Sequence, residues 1–258
     1  AQVKSCIMLG ALNSPGITRI IAKKSRNHTE ILFKYLKIPI SVRKTKNFDF
    51  IKVNGKKNFT SFNYNIPSDI SSSAFFIVLT LLSNNSSLTI RKVNINSSRI
   101  GSIYILNKMG AKIKLKNIKN YRGERVADIF VKSIKSYKAI NCPKKYNSSA
   151  IDEFLIIFLI AAKAKGVSYF KDLAELNQKE SPRLKLGSKI LNMIGIKTKL
   201  TNESIKIYGQ PNLELNKNYE IKNYLKDHRI FMMATIASLT LGGNWKIHDP
   251  DSIKTSFP

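Results

Sequence analysis

Asn177-Gln178-Lys179-Glu180-Ser181-Pro182-Arg183-Leu184 is the stretch around which the rest of the chain is arranged. Ser181 followed by Pro182 is a helix-start signal, because a serine hydroxyl caps free N–H groups and proline is tolerated in a first turn. Leu184, Ile190, Leu191 and Ile194 then recur at helical spacing, which predicts a helix over 184–194 beginning near Pro182. Lys179, Glu180 and Arg183 are thereby crowded around its N-terminal end. The outward N–H groups there already carry partial positive charge, so two cations are unfavourable unless an anion occupies the site. Solvated surface charge is the alternative reading of a single cluster of this kind.

The 258 residues suffice for one large or two ordinary domains, and a 43% hydrophobic content with apolar runs at helical spacing predicts a globular fold. The longest apolar run, 154–162, is about half of what a bilayer requires and reads as a buried helix, so no membrane is expected as a partner. Cys6 and Cys142 lie far apart without metal-ligand spacing, and three histidines are too few for a cluster. A reduced, cytoplasmic protein with no metal and no cofactor is the expectation. The chain opens on Ala1-Gln2-Val3-Lys4 with no initiator methionine or leader, which predicts a fragment or a processed product. Lys and Arg number 44 against 16 Asp and Glu, a formal charge of +28 that suits nucleic acid or another polyanion. The lysines, however, are spread along the whole chain among abundant Asn and Ile. No stacking platform, helix-turn-helix, zinc-finger or RNA-binding signature accompanies them, so nucleic acid is not expected either.

Taken in order, 1–12 reads as a helix, 17–21 as a strand, and Ser25-Arg26-Asn27-His28-Thr29-Glu30 as the start of a second helix to about Leu36, with Ser25 suited to cap it. Residues 42–65 read as strands and turns, including an Asn54-Gly55 turn signal. Pro67 and the serines up to Ser73 mark a boundary, with Asp69 or a nearby serine capping an apolar helix. A strand (88–93), a helix (103–109) and two more strands (111–115, 127–132) follow. Ser149 to Glu153 leads a helix apolar nearly all round, whose acidic end is free to reach solvent or a cleft. Strands at 167–172, 197–200 and 205–208, a helix starting at Asp227 and closed by Gly242-Gly243, and a final strand at 245–248 complete the order.

A strand, a polar helix start and a helix ending near Leu36, Met109 or Ile194 recur at about 75 to 85 residues, which predicts duplicated α/β units. Buried helices beginning near Ala1, Asp69, Asp152 and Asp227 form a second series. If these lie parallel, their positive ends converge into a basin for anionic ligands.

Ala1-Gln-Val-Lys-Ser, Ser25-Arg-Asn-His-Thr-Glu, Pro67-Ser-Asp-Ile-Ser-Ser, Ile151-Asp-Glu, Lys179-Glu-Ser-Pro-Arg, Asp227-His-Arg and Thr255-Ser-Phe-Pro occur in this order from the first residue to the last. In these motifs the chain resembles the EPSP synthase family, the 3-phosphoshikimate 1-carboxyvinyltransferases. The resemblance implies an α/β (α+β) fold of repeated βαββαβ units, a two-domain inside-out α/β barrel of the enolpyruvyl transferase type, incomplete here. Residues 1–66 are then the second part of one domain and 67–258 most of the other. It further implies transfer of the enolpyruvyl group of phosphoenolpyruvate to the 5-hydroxyl of shikimate 3-phosphate with release of phosphate, in aromatic amino acid biosynthesis, by a protein monomeric at full length. The Lys-Ser-Arg set and the further arginine that the family carries in its front portion have no counterpart here, so the fragment alone is expected to be inactive.

By motif, the resemblance assigns Ala1, Gln2, Arg26, Asp152 and Lys179 to shikimate 3-phosphate, and Gln2, Arg183 and Arg229 to phosphoenolpyruvate. Asp152 is implied as the base for the 5-hydroxyl proton, Glu180 as the proton donor to the methylene carbon, and Lys179 as a partner of the shikimate hydroxyls. His228 belongs beside them in either a catalytic or a structural role, and Glu175 is a further candidate. Asn177-Gln178 and Pro182 depart from the family pattern, as does Ser68 before Asp69. Two other readings compete: the related transferase that acts on UDP-N-acetylglucosamine, and a basic polyanion-binding module that has lost catalysis.

Overall fold

The computed structural model describes residues 1–55, 58 and 60–255, and one α-β-α-β-β unit recurs through it. Its first copy is α1 (Gln2–Ala11), β1 (Ile17–Lys23), α2 (His28–Tyr35), β2 (Ile40–Lys44) and β3 (Phe48–Asn54). The second is α3 (Ile70–Leu82), β4 (Ser87–Asn94), α4 (Gly101–Lys108), β5 (Lys114–Tyr121) and β6 (Glu124–Lys132). After β7 (Tyr137–Lys138) and the short α5 (Asn147–Ala150), the third comprises α6 (Phe154–Ala162), β8 (Ala164–Phe170), α7 (Arg183–Met193), β9 (Thr198–Leu200) and β10 (Ile205–Gly209). A partial copy closes the chain: β11 (Leu215–Ile221), α8 (His228–Leu241) and β12 (Gly242–Ile247).

Strand order makes the repetition physical. Each full unit pairs its strands antiparallel in the sequence first, third, second, giving β1-β3-β2, β4-β6-β5 and β8-β10-β9. β7 joins β8 in parallel and β11 joins β12 in parallel, so the strand before a buried helix is bonded to the strand after it. The run β1-α2-β2-β3-α3-β4 is the expected βαββαβ order.

Two apolar cores follow from the pattern of side chains. The smaller holds Met8, Ala11, Ile20, Phe33, Ile38, Ile51 and Val53 between α1, α2 and the first sheet. In the larger, α3, α6 and α8 pack on one another with the sheets outside them. Every residue of α6 is buried, the only environment in which a helix apolar on all faces is stable. Phe154, Phe158 and Phe170 interlock there with ring centroids 5.2–6.1 Å apart.

Several local expectations are corrected. Neither Ser25 nor Ser181 caps a helix: α2 begins at His28 and α7 at Arg183, both without a side-chain cap. Asp69 and Asp227 do cap, accepting from the N–H groups of Ser72 and Arg229. Asn54-Gly55 is no hairpin turn, since β2 and β3 reverse through residues 45–47. Gly55 instead donates its N–H to the Gly16 carbonyl at 3.0 Å, and a Cβ there would stand 1.9 Å from the Ser14 oxygen. Strand β11 has no counterpart among the expected strands, because its alternation is broken by a register shift between Leu215 and Asn218.

One glycine governs the approach to the functional residues. A Cβ on Gly101, at the start of α4, would come within 2.8 Å of the Tyr146 carbonyl oxygen and 2.9 Å of the Ser149 carbonyl carbon, in the turn that leads to Asp152. Gly101→Ala is therefore expected to destabilise the chain by about 1–3 kcal/mol, since backbone rather than a side-chain tip must yield. Urea unfolding measures the loss, and an unchanged midpoint would contradict the packing described.

Candidate active site

The capping of α8 fixes the centre of the site. Asp227 accepts from the Arg229 N–H at 2.9 Å, and the same carboxylate receives Arg183 Nε at 2.9 Å, Arg183 Nη2 at 3.3 Å and the Ser181 hydroxyl at 2.7 Å. Ser181 thus serves α8, while the cap position of α7 falls on Pro182, which has no side-chain acceptor. Arg183 is not surface charge: its side chain is 2% exposed and Asp227's is 0%. Burial alone would push Asp227 up, but hydrogen bonds from Arg183 and its charge outweigh that and hold the carboxyl below its usual value.

Asp152 occupies the turn between α5 and α6, and cations surround it. Arg26 donates to its Oδ2, Lys179 Nζ lies 3.6 Å and Arg183 Nη1 3.7 Å from Oδ1, and Arg229 Nη1 donates to its backbone carbonyl at 2.7 Å. Burial raises the Asp152 pKa, yet the charges of Arg229, Arg26 and Lys179 prevail and bring it to about 2. Its neighbour Glu153 has the opposite fate. Fully enclosed, with Ser71 Oγ donating to Oε1, it is pushed up by desolvation, so the acidic end of this helix is divided between cleft and core.

Lys179 also meets Glu175 at 3.2 Å, and Glu180 meets Arg183 Nη2 at 2.6 Å with its own side chain 59% exposed. His228, the first residue of α8, is lowered by burial and by the Arg229 charge. A cavity of ≈ 580 Å³ gathers all the residues singled out from sequence: Ala1, Gln2, Arg26, Asp152, Glu175, Lys179, Glu180, Arg183, His228 and Arg229. Its wall also includes Lys24, Ser25 and Ser148, which periodicity and capping signals alone did not single out as ligand contacts. The starts of α1, α7 and α8 and the turn before α6 converge on it. The Asp69 end of α3 does not, and opens into a separate cavity of ≈ 520 Å³. Lys254 pairs with Asp251 at 2.6 Å and is not among the residues that line this cavity. The final Ser256-Phe257-Pro258 lies outside the described residues. Among the described residues, no group of three or more His, Cys, Asp or Glu is placed to hold a metal ion, and no helix is long and apolar enough to cross a membrane.

The model of one family, EPSP synthase (3-phosphoshikimate 1-carboxyvinyltransferase), matches residues 1–258. The chain belongs to the EPSP synthase family. Within it, the 3-phosphoshikimate 1-carboxyvinyltransferase of Ruthia magnifica is 39% identical over 263 residues, a match covering 100% of this chain and 58% of the relative. The enzyme of the same name from Thermodesulfovibrio yellowstonii is 37% identical, with 100% and 59% covered. An EPSP synthase structure from Acinetobacter baumannii superposes with a TM-score of 0.90 at 34% identity, over 100% of this chain and 58% of that one. The enolpyruvyl transferase NikO of Streptomyces tendae shares the fold, with a TM-score of 0.72 at 14% identity and coverage of 99% and 56%. The fold is therefore that of the enolpyruvyl transferases, of mixed α and β content. The chain spans a little under three-fifths of the length of the EPSP synthases it matches. These matches favour neither the UDP-N-acetylglucosamine transferase nor the polyanion-binding module.

Proposed function

We propose that this chain supplies the greater part of a site that transfers the enolpyruvyl group of phosphoenolpyruvate to the 5-hydroxyl of shikimate 3-phosphate, releasing phosphate. The observation that carries the reading is the ring of Arg26, Lys179, Arg183 and Arg229 around the Asp152 carboxylate. The carboxylate is the counter-ion of these cations. Two phosphorylated, carboxylated substrates would take over that role, since forked guanidinium groups match carboxylate and phosphate oxygens. Once the cations face substrate anions, the field that depresses Asp152 weakens, and its basicity rises at the point where a hydroxyl proton must be removed. Substrate oxygens on Arg183 likewise displace Glu180, whose exposed carboxylate then takes up a proton from solvent and delivers it to the methylene carbon. His228 and Glu175 complete the wall, Gln2 offers hydrogen bonds to both ligands, and Ala1 contacts shikimate 3-phosphate.

The division of the chain at 66/67 belongs to the same proposal, because the two apolar cores lie on either side of it. So do a monomeric state and a cytoplasmic location, in keeping with Cys6 and Cys142 both being free. A chimera in which residues 1–258 replace the matching segment of the Ruthia magnifica relative tests the activity. Such a protein is expected to release phosphate from phosphoenolpyruvate only when shikimate 3-phosphate is present. Arg26→Ala is expected to raise KM for shikimate 3-phosphate roughly 10-fold or more, the loss of one charge-assisted contact. A folded chimera that binds neither substrate, or one whose KM ignores Arg26, would overturn the reading.

A further inference from the structure

Beyond the cavity, residues 26–28 touch the larger core through three consecutive side chains. Arg26 donates to Asp152, the Asn27 Oδ1 accepts from Asn96 Nδ2 at 2.9 Å, and His28 Nδ1 meets Glu124 Oε1 at 2.5 Å. Asn96 is itself fixed. Its Nδ2 also donates to Glu124 Oε2 at 3.1 Å, while its Oδ1 accepts the Ser98 N–H at 2.9 Å and the Ser98 hydroxyl at 2.8 Å. Glu124 and Asn96 are both buried, yet Glu124 has a partner for each oxygen and Asn96 for each end of its amide. Buried polar groups this fully satisfied hold one geometry, because any displacement leaves a desolvated group unpaired. A second contact reinforces the junction, as the Arg122 guanidinium lies over the Tyr35 ring at the end of α2, 5.4 Å from its centroid.

We infer that Glu124 and Asn96 are positioning residues: by gripping His28 and Asn27 they set the Arg26 guanidinium against Asp152 and latch the smaller core onto the larger. The inference rests on the proposed substrate site only for its effect on affinity, since the latch itself consists of contacts within the chain. Neither residue lines the cavity that holds Asp152, so their influence on a ligand passes through Arg26.

Hydrogen exchange of the chain 1–258, and shikimate 3-phosphate titration of the chimera described above, separate the two layers. Glu124→Ala is expected to speed amide exchange over 24–31 by ~10-fold while leaving the α3 amides unchanged, because only the local opening energy falls. It should also weaken shikimate 3-phosphate binding by ~10-fold, and add nothing to Arg26→Ala in the double variant, as groups acting through one another are non-additive. Glu124→Gln, which can still bond both Asn96 and His28, should restore most of both effects. If Glu124→Ala does not fold, Asn96→Ala carries the same two readouts. Exchange over 24–31 unchanged within about twofold, or effects of Glu124→Ala and Arg26→Ala that simply multiply, overturns the latch. A chimera with the unaltered segment that fails to bind shikimate 3-phosphate counts against the substrate reading alone, and exchange then decides the latch by itself.

Discussion

Asp227→Ala is expected to lower the unfolding free energy of the chain by about 3 kcal/mol, the loss typical of a buried ion pair with one partner removed. Arg183 and Asp227 are shielded from water, and the carboxylate satisfies Nε and Nη2 of the guanidinium, the Ser181 hydroxyl and the Arg229 N–H at the start of α8. Alanine would strip all four at once. Glu180, at 2.6 Å from Nη2, and Asp152, at 3.7 Å from Nη1, remain, but neither pairs with Nε. The cost is therefore that of a guanidinium left partly uncompensated in a desolvated setting. Because the folded pKa of Asp227 lies below its unfolded value, this stability is present above the unfolded value and is lost below it, as pH falls through the depressed folded value. Replacing both partners by leucine should recover much of the loss and still abolish anion binding. Urea titrations followed by Trp245, the only tryptophan, supply the measurement. A loss below about 1 kcal/mol in Asp227→Ala would mean that the pair contributes no more than exposed charges do.

What could be read from sequence divides along a physical line. Helix bodies are legible where apolar side chains recur at helical spacing, as in 184–194, or run unbroken, as in 154–162, since burial imposes both patterns. Acidic caps are legible too, because Asp69 and Asp227 bond N–H groups two or three residues ahead. Serines at 25 and 181 mislead for the converse reason: hydroxyls bond whatever acceptor is nearest, and for Ser181 it lies 46 residues away in the chain. The identity of the cavity residues comes from the order of motifs and not from periodicity. Local pattern places Arg183 on a helix start but not in the interior, where only the long-range pair with Asp227 explains its burial. Asn96 and Glu124 leave no trace, as a polar residue buried at a junction between units looks like any loop or strand-end residue.

Asp152→Asn is expected to remove enolpyruvyl transfer from the chimera by ~10³-fold or more, the upper range for loss of a general base. The variant also gives a test that needs no substrate. In the parent, burial opposes ionisation of Asp152, but Arg229, Arg26 and Lys179 outweigh it and take the pKa from 3.8 to about 2. A depressed folded pKa means that the folded state releases its proton first, so the carboxylate stabilises the fold above about pH 4 and the benefit disappears between about pH 4 and pH 2. The shift corresponds to about 2 kcal/mol at neutral pH. The amide introduced by Asp152→Asn keeps the shape of the protonated acid, so parent and variant should differ by about that amount at pH 7 and converge near pH 2. Without its carboxylate the site is a cluster of Arg26, Lys179, Arg183 and Arg229 lacking their shared counter-ion. Inorganic phosphate should consequently bind the variant more tightly than the parent and return most of the lost stability. If the variant is as stable as the parent at pH 7 and indifferent to phosphate, the cations are not held together by Asp152, and the anion-exchange logic of the site fails with it.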